Sequence, residues 1–163
     1  METSDQVYMN VEPIINLGFD LHGVLDTYAD CMVPLLEKLC NAGYAIHILS
    51  GPSKQEVEQK LLELGYKPEF HFHYLFSIVD YLKASGVEMW KDSKGTWWSQ
   101  DEIWWKSKGY YCKLTHCEYL FDNSDRYRDY MPLMTDFIYI KTKRDADEMI
   151  EMLTAIISEE SNQ

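Results

Sequence analysis

The chain has 163 residues, of which 46% are hydrophobic and 26% are charged, so it is long enough to form one globular domain with a full core. Its 27 acidic residues outnumber its 15 Lys and Arg residues and give a formal net charge of -12. This balance argues against nucleic acid polymers as ligands, because affinity for them comes largely from basic residues that displace counterions, and it leaves open a small anionic ligand whose charge is met locally.

Strand-like and helix-like segments alternate along the first 65 residues. Short apolar runs predict buried strands, and apolar residues at helical spacing that stop at a Gly predict helices. Alternation of this kind predicts an α/β fold with a parallel sheet covered by helices and right-handed crossovers. The predicted elements are a strand at 14–19 (IINLGF), a helix through 33–40 (VPLLEKLC), a strand at 44–49 (YAIHIL) and a helix from 54 to 65 (KQEVEQKLLELG).

The second half of the chain contains a less regular region and then resumes the pattern. Residues 68–107 include HFHYLFSIVDYL and all five tryptophans. We predict that they form an irregular, Trp-rich insertion or minimal cap over one end of the sheet, within a single domain spanning residues 1–163. Further strands are predicted at 118–121 and 136–140, followed by an amphipathic helix at 146–157.

Three predicted strands end in polar residues, at Asp20, Ser50 and Asp122. Ligands of doubly wound folds bind beyond the carboxyl ends of the strands, so we expect these side chains to meet. Two adjacent carboxylates repel each other unless a divalent cation joins them, and oxygen ligands suit Mg²⁺. Ser50 and Gly51 offer a hydroxyl and backbone N–H groups to a phosphate. The alternative for Asp20 alone is a cap on the following turn or helix.

Four short motifs, in order, resemble those of the haloacid dehalogenase-like (HAD) hydrolases, most of which transfer phosphoryl groups through an aspartyl intermediate. LGFDLHGVLD resembles the first motif of the family, hhhDxDGT or hhhDxDGV, in which h is hydrophobic. IHILS ends in the Ser or Thr of the second motif, and KGYYCKLTHCEYLFDNS, at 108–124, resembles the third and fourth. The resemblance covers residues 17–124 and implies a three-layer, HAD-like Rossmannoid fold.

The resemblance also implies a role for each matching residue. Asp20 would be the nucleophile and a Mg²⁺ ligand, and Asp122 a further Mg²⁺ ligand. Ser50 would bind a phosphate oxygen, and Lys108 would hold the phosphate and offset the charge of the nucleophile. These roles agree with the chemistry, because a carboxylate attacks phosphorus when cations shield it from the anionic phosphate. Lys106 is the competing lysine, and the interval from Lys108 to Asp122, which suits one helix and one strand, favours Lys108.

His22 departs from the family, which usually has a second Asp at this position. In the family that Asp protonates the leaving alcohol and then activates water, while its backbone carbonyl binds the metal. Only the carbonyl role is indifferent to the side chain. An imidazole is able to perform the same proton transfers near neutral pH. Slow turnover, a different reaction and a phosphate site no longer in use remain open as alternatives.

The leading interpretation is therefore a Mg²⁺-dependent phosphatase that acts on a small phosphorylated substrate. In appearance the chain is most similar to the small deoxyribonucleotidase-like proteins of the family, some of them encoded by tailed phages, in which DNS followed by a Tyr and a short middle insertion recur. A nucleotide substrate follows from that resemblance and from the tryptophans. The rival interpretation is a non-catalytic or weakly active HAD-like protein whose acidic surface and aromatic residues serve a protein partner.

Other conspicuous residues have structural explanations. His47, in the middle of a predicted strand, is expected to be a hydrogen-bonded core residue, and His71 and His73 lack a third ligand for zinc. The tryptophans either pack the insertion, which we favour, or stack a flat ring above the site. Three residues after the fourth motif are expected to be solvated on a helix and not to reach the metal or the phosphate: Asp125, Arg126 and Arg128.

The cysteines and the hydropathy of the chain indicate its compartment. No run approaches the roughly 18 apolar residues of a membrane span, and the start METSDQ lacks the basic and apolar regions of a signal peptide. We therefore expect a soluble cytoplasmic protein without a membrane partner, and its oligomeric state stays open. The four cysteines show no CxxC pair or zinc spacing and are predicted to be reduced, packed thiols: Cys31, Cys40, Cys112 and Cys117.

Overall fold

A computed structural model describes residues 13–161 and contains one main sheet and one small hairpin. The strands of the main sheet are β1 (Asn16–Phe19), β2 (Ala45–Ser50), β3 (Tyr74–Ser77), β6 (Cys117–Asp122) and β7 (Asp136–Tyr139), and the hairpin consists of β4 (Trp90–Lys91) and β5 (Trp97–Trp98). The main sheet has the order β3-β2-β1-β6-β7, and every adjacent pair is parallel. The predicted α/β class with a mainly parallel sheet is confirmed.

Residues 13–161 contain five α-helices, of which four lie between strands and the fifth follows β7. They are α1 (Ala29–Asn41), α2 (Lys54–Leu64), α3 (Ile78–Ala84), α4 (Asp101–Thr115) and α5 (Lys143–Ser161). Ser53 and Ser77 cap α2 and α3 through their hydroxyl oxygens, and Gly65 ends α2 in the left-handed region with φ of 98°. Within residues 13–161, no helix is both long enough and apolar enough to cross a bilayer.

The helices cover both faces of the sheet. Neighbouring side chains on a strand point to opposite faces, so Ile48 and Leu49 of β2 belong to different hydrophobic clusters, as do Leu120 and Phe121 of β6. The cluster on one face contains buried residues of α1 and α5, and that on the other contains buried residues of α3 and α4. These layers hold β1 at the centre, with its carboxyl end between those of β2 and β6.

Residues 68–107, for which we predicted an irregular insertion, contain β3, α3, the hairpin β4–β5 and the first part of α4. Of these, β3 pairs with β2 at the edge of the main sheet, in register from His47 opposite Tyr74 to Ser50 opposite Ser77. The hairpin stands apart from that sheet as its own pair of two-residue strands.

All four cysteines are free. Cys112 and Cys117 are buried, and Cys40 is partly buried, as expected for packed thiols. Cys31 lies exposed on α1, so the prediction of a packed thiol is wrong at this position. Its neighbour Met32 takes the buried face of the helix instead.

Candidate active site

The three polar strand ends lie on three adjacent strands. Asp20 directly follows β1, while Ser50 and Asp122 are the last residues of β2 and β6, the two neighbours of β1. All three side chains are buried, and the backbone N–H of Asp20 donates to the carbonyl oxygen of Phe121 at 2.9 Å. The structure thus brings these three predicted site residues together at one edge of the sheet.

Lys108 reaches the same edge from α4. Its Nζ lies 2.7 Å from Oδ2 of Asp122 and 3.2 Å from Oδ1 of Asp20, and its side chain is almost completely buried. Lys106, by contrast, is exposed and pairs with Glu102 at 2.7 Å. The lysine that meets the two carboxylates is therefore Lys108.

The position of Lys108 depends on close packing between α4 and the 3₁₀ helix Asp125–Tyr130. A Cβ atom added at Gly109 would overlap the carbonyl oxygen of Tyr130, so only glycine allows the two segments to approach this closely. The ring centroid of Tyr127 lies 4.3 Å from the Lys108 Nζ. The hydroxyl oxygen of Tyr127 accepts a hydrogen bond from Trp104 Nε1. Aromatic packing and a glycine contact therefore fix the ammonium group.

The buried charges at this edge are not balanced. Burial, together with the nearby Asp122 carboxylate, outweighs the attraction of Lys108 and raises the pKa of Asp20 to about 8. Burial also disfavours the Lys108 ammonium, but the carboxylates of Asp122 and Asp20 more than offset this and raise its pKa above the ordinary value. When both acids are ionised, one ammonium faces two carboxylates, so a further positive charge at this edge would lower the pKa of Asp20 and favour its carboxylate form.

Asn123 is a member of the site that the sequence analysis missed. With its amide oriented to satisfy its neighbours, its side-chain nitrogen donates to the carbonyl oxygen of His22 at 3.0 Å and to Oδ2 of Asp20 at 2.8 Å. The available signal was its position directly after Asp122, at the end of the same predicted strand. Asn123 thus places an N–H group between two oxygens that would otherwise face each other.

The oxygens at this edge provide a test of whether the site suits a metal ion. In the part of the chain that is described, no three side chains of His, Cys, Asp or Glu are grouped to hold one. The oxygen atoms at this edge are those of the Asp20 and Asp122 carboxyl groups and of the His22 carbonyl. All are oxygen donors, which Mg²⁺ prefers, and the Asn123 N–H already supplies a partial positive charge to two of these residues. This donor set fits Mg²⁺.

His22 lies in the turn Leu21–Leu25 that follows Asp20, where Gly23 adopts a left-handed φ of 88°. Its Nδ1 lies 3.4 Å from Oδ2 of Asp26, and 52% of its side chain is exposed. Oδ1 of Asp26 also accepts the backbone N–H of Gly23 at 2.7 Å. Asp26, which the sequence analysis did not single out, therefore positions the imidazole on the wall of the cavity described next.

A cavity of about 750 Å³ opens above this edge, and Asp20, His22 and Lys108 line it. The hydroxyl of Ser50, also in its lining, is fully buried and has no hydrogen-bond partner among the described residues. A buried hydroxyl left unsatisfied costs about 1–3 kcal/mol, so a ligand atom that accepts or donates here would be favoured. The neighbouring Gly51 keeps this corner open, because a Cβ there would come within 3.1 Å of the Trp104 ring.

The opposite wall of the cavity is formed by the hairpin β4–β5, by α3 and by the start of α4. Trp104 is buried and packs on Trp98 with ring centroids 4.9 Å apart, whereas Trp90 is half exposed. The prediction that the tryptophans pack this region is confirmed for Trp104. Three lysines that the sequence analysis did not single out also line the wall: Lys83, Lys91 and Lys94.

The remaining histidines have structural roles. His47 is buried and is held by the Tyr111 hydroxyl and by Oδ1 of Asn16, both at 2.8 Å, which confirms the predicted core residue. His71 and His73 each use Nδ1 to accept a backbone N–H, at 2.9 and 3.0 Å. Neither of these two residues belongs to a group of three or more side chains placed to hold a metal ion among residues 13–161.

The charged residues after the fourth motif lie outside the cavity. Asp125 and Arg128 form an exposed ion pair at 2.6 Å. Arg126 lies over the ring of Trp105, with 5.2 Å between its guanidinium carbon and the ring centroid. As expected, none of these three residues lines the cavity above Asp20.

No protein-family model matches this sequence, and no curated protein is significantly similar to it. The assignment of an activity therefore rests on the motifs and on the geometry of the site.

Proposed function

We propose that the protein is a Mg²⁺-dependent phosphatase of the HAD-like superfamily that acts on a small phosphomonoester, with a nucleotide as one candidate substrate. The observation that carries the proposal is the unpartnered, buried hydroxyl of Ser50 in the same cavity as the buried ammonium of Lys108 and the carboxylate of Asp20. A phosphate group offers several acceptor oxygens, which a hydroxyl and an ammonium satisfy together. Asp20 at the same place is then positioned to attack phosphorus in its carboxylate form, which the positive charge of a bound Mg²⁺ would favour over the protonated form.

In this mechanism, Ser50 and Lys108 bind oxygens of the phosphate. A carboxylate oxygen of Asp20 forms a bond to phosphorus while the bond from phosphorus to the leaving alcohol oxygen breaks, which gives an aspartyl-phosphate. His22, positioned by Asp26, donates a proton to the leaving oxygen. It then accepts a proton from the water that attacks phosphorus, and this second step releases inorganic phosphate and regenerates Asp20.

Three parts of the chain would hold the Mg²⁺ ion: the carboxylates of Asp20 and Asp122 and the carbonyl oxygen of His22. The ion supplies positive charge that reduces repulsion between the nucleophile and the phosphate. Asn123 would support this arrangement, because rotation of its amide by half a turn exchanges the nitrogen for an oxygen at the same place. Lys108 contacts both carboxylates that would hold the ion.

A second candidate function is that of a non-catalytic or weakly active binding protein with a HAD-like scaffold. Two observations favour it. Lys108 already contacts both carboxylates, and the His22 imidazole pairs with Asp26 and not with Asp20. In this case the cavity would bind an anionic ligand without turnover.

Hydrolysis of a broad panel of phosphate esters in the presence of Mg²⁺ distinguishes these functions, when the parent is compared with Asp20→Asn and with Asp30→Asn. The control Asp30→Asn removes an exposed carboxylate on α1. The phosphatase proposal expects turnover that Asp20→Asn reduces at least about 1,000-fold and that Asp30→Asn leaves unchanged. Absence of turnover across the panel supports the binding protein, and activity that appears only in His22→Asp shows that the parent is not a hydrolase.

A further inference from the structure

The hairpin β4–β5 has a fixed shape because of one carboxylate. Oδ1 of Asp92 accepts the backbone N–H groups of Lys94 and Thr96, both at 2.9 Å, and Oδ2 accepts the indole N–H of Trp98 at 2.8 Å. Gly95 completes the turn with a left-handed φ of 80°. The bond from Trp98, followed by the backbone bonds, lowers the pKa of Asp92. Both oxygens of this carboxylate are thus engaged by the hairpin itself.

The hairpin and α3 together carry three lysines into the wall of the cavity. Nζ of Lys83 and Nζ of Lys91 lie 4.1 and 5.0 Å from the ring centroid of Trp97, and Lys94 comes from the turn of the hairpin. None of the three forms an ion pair with a carboxylate in the described part of the chain, where each of the six ion pairs involves other residues. Lys94 also interacts electrostatically with Asp92, but the oxygens of Asp92 are engaged by the hairpin, so the three ammonium groups remain available as hydrogen-bond donors to a ligand.

The positive charge at this wall of the cavity contrasts with the acidic composition of the whole protein. Acidic residues outnumber basic ones by 27 to 15 in the whole chain, yet four lysines and only three carboxylates line the cavity. Lys108 is committed to two of those carboxylates, Asp20 and Asp122, and the third belongs to Glu56. The outer part of the cavity thus has a net positive charge in an acidic protein, and a concave surface strengthens the attraction of anions.

The position of Lys83 favours an anion over a stacked aromatic ring as the ligand group at this wall. Its ammonium group lies over the ring of Trp97 at cation–π distance. A flat ring that stacked on this face of Trp97 would have to displace the ammonium group. An anion would instead contact Lys83 and Lys91 without loss of either cation–π contact.

We infer that Lys83, Lys91 and Lys94 form a second anion site, and that the substrate carries a second phosphate group besides the one that Asp20 attacks. This inference rests on the proposed function, because the first phosphate position belongs to it. A phosphate group suits the site because it presents several strong acceptor oxygens to three ammonium groups. A cavity of about 750 Å³ is large enough for a small bisphosphate.

Binding of matched ligand pairs tests the inference without turnover. The probes are adenosine 3′,5′-bisphosphate with adenosine 5′-monophosphate, and fructose 1,6-bisphosphate with fructose 6-phosphate, titrated calorimetrically into Asp20→Asn protein with Mg²⁺. We expect each bisphosphate to bind at least about tenfold more tightly than its partner. Combined replacement of the three lysines, as Lys83→Gln, Lys91→Gln and Lys94→Gln, is expected to remove this difference and to leave monophosphate affinity within about twofold.

A control variant carries the same loss of charge at three exposed lysines that do not line the cavity: Lys60→Gln, Lys113→Gln and Lys143→Gln. It should retain the preference for bisphosphates. Equal affinity for both members of each pair in the Asp20→Asn protein overturns the second anion site and leaves the proposed phosphatase in place. If bisphosphates bind in a lysine-dependent way but the parent hydrolyses no ester, the second anion site is supported and the phosphatase is rejected. If none of the four probes binds, both proposals are rejected.

Discussion

Nζ of Lys108 lies 2.7 Å from Oδ2 of Asp122, and both side chains are almost completely buried. The same nitrogen also contacts Asp20, so one ammonium connects the ends of two adjacent strands to α4. Buried ion pairs contribute little net stability when complete, but removal of one partner leaves an uncompensated charge away from water. The lysine is therefore central to both the stability and the charge of the site.

Lys108→Met is expected to lower the free energy of unfolding by about 3–5 kcal/mol, because it leaves the buried Asp122 carboxylate without its cation and Asp20 without its ammonium partner. Urea denaturation at neutral pH measures this change. Lys106→Met is the matched control on the same helix, and little change in stability is expected, because its ion pair with Glu102 is exposed to solvent. Equal losses for the two variants would contradict the role assigned to Lys108.

If Mg²⁺ binds at this edge as proposed, Asn123→Asp is expected to make the thermal stability of the protein more dependent on the ion. Without the ion, a third carboxylate near Asp20 and Asp122 replaces an N–H donor, so the melting temperature should fall. With excess Mg²⁺, the added oxygen ligand should give a larger increase in melting temperature than in the parent. Differential scanning fluorimetry in EDTA and in Mg²⁺ measures both effects.

The control for this experiment is Asn41→Asp, which adds the same charge at the exposed end of α1, before β2 begins. It should respond to Mg²⁺ as the parent does. A melting temperature that Mg²⁺ leaves unchanged in both the parent and Asn123→Asp would argue against a cation at this edge.

His22→Ala is expected to affect turnover in a manner that depends on the leaving group. If the imidazole protonates the departing oxygen, hydrolysis of an alkyl phosphate should slow by about 100-fold or more. Hydrolysis of p-nitrophenyl phosphate should slow less in its first step, because nitrophenolate leaves without a proton. Comparison of single-turnover rates for the two esters measures the effect.

Asp26→Asn provides a second variant for the same step. It retains an acceptor for the Gly23 N–H but removes the negative charge beside His22. We expect the same dependence on leaving group with a smaller loss of rate, since Asp26 acts through the imidazole. A uniform loss for both esters in the two variants would show that His22 is not the proton donor.

His47 is expected to make the stability of the protein sensitive to mild acid. Burial, with a smaller effect from His73, lowers the pKa of His47 to about 4 from 6.5. Between these pH values the unfolded chain binds a proton that the folded chain does not, so the free energy of unfolding falls as the pH decreases through this window. The stability that depends on a neutral His47 is fully present above pH 6.5. Within the window, the free energy of unfolding changes by up to about 1.4 kcal/mol per pH unit.

Urea denaturation at several pH values between about 7.5 and 4.5, a range that covers most of this window, compares the parent with His47→Gln. The variant lacks the titrating group and should show a shallower dependence on pH. His116→Asn removes an exposed histidine at a left-handed position that Asn tolerates, and it should retain the slope of the parent. Parallel curves for the parent and His47→Gln would contradict the prediction.

The sequence predicted the parallel sheet and the meeting of Asp20, Ser50 and Asp122 because these features depend on local patterns. Each of the strands β1, β2 and β6 is an apolar run with a polar end, and parallel strands place such ends at one edge. The helix from Asp101 to Thr115, followed by β6, also accounts for the expected position of Lys108 beside the two carboxylates.

The features that the sequence did not predict depend on contacts between distant residues. Asn123 has its role because β6 brings it beside the carbonyl of His22, about a hundred positions earlier in the chain. The hairpin β4–β5 has strands of only two residues, and the side chain of Asp92 determines its shape more than any hydrophobic pattern does. Likewise, Lys83 and Lys91 lie close together because both contact the ring of Trp97, and the sequence does not show where that ring lies.

The contact between Gly109 and the carbonyl oxygen of Tyr130 makes the geometry of the site sensitive to a single methyl group. An alanine at this position would force α4 and the segment after β6 apart. The adjacent Lys108 would then move away from the two carboxylates together with its helix. The distance between the Lys108 ammonium and the two carboxylates thus depends on the space available at Gly109, which itself contacts neither a carboxylate nor a ligand.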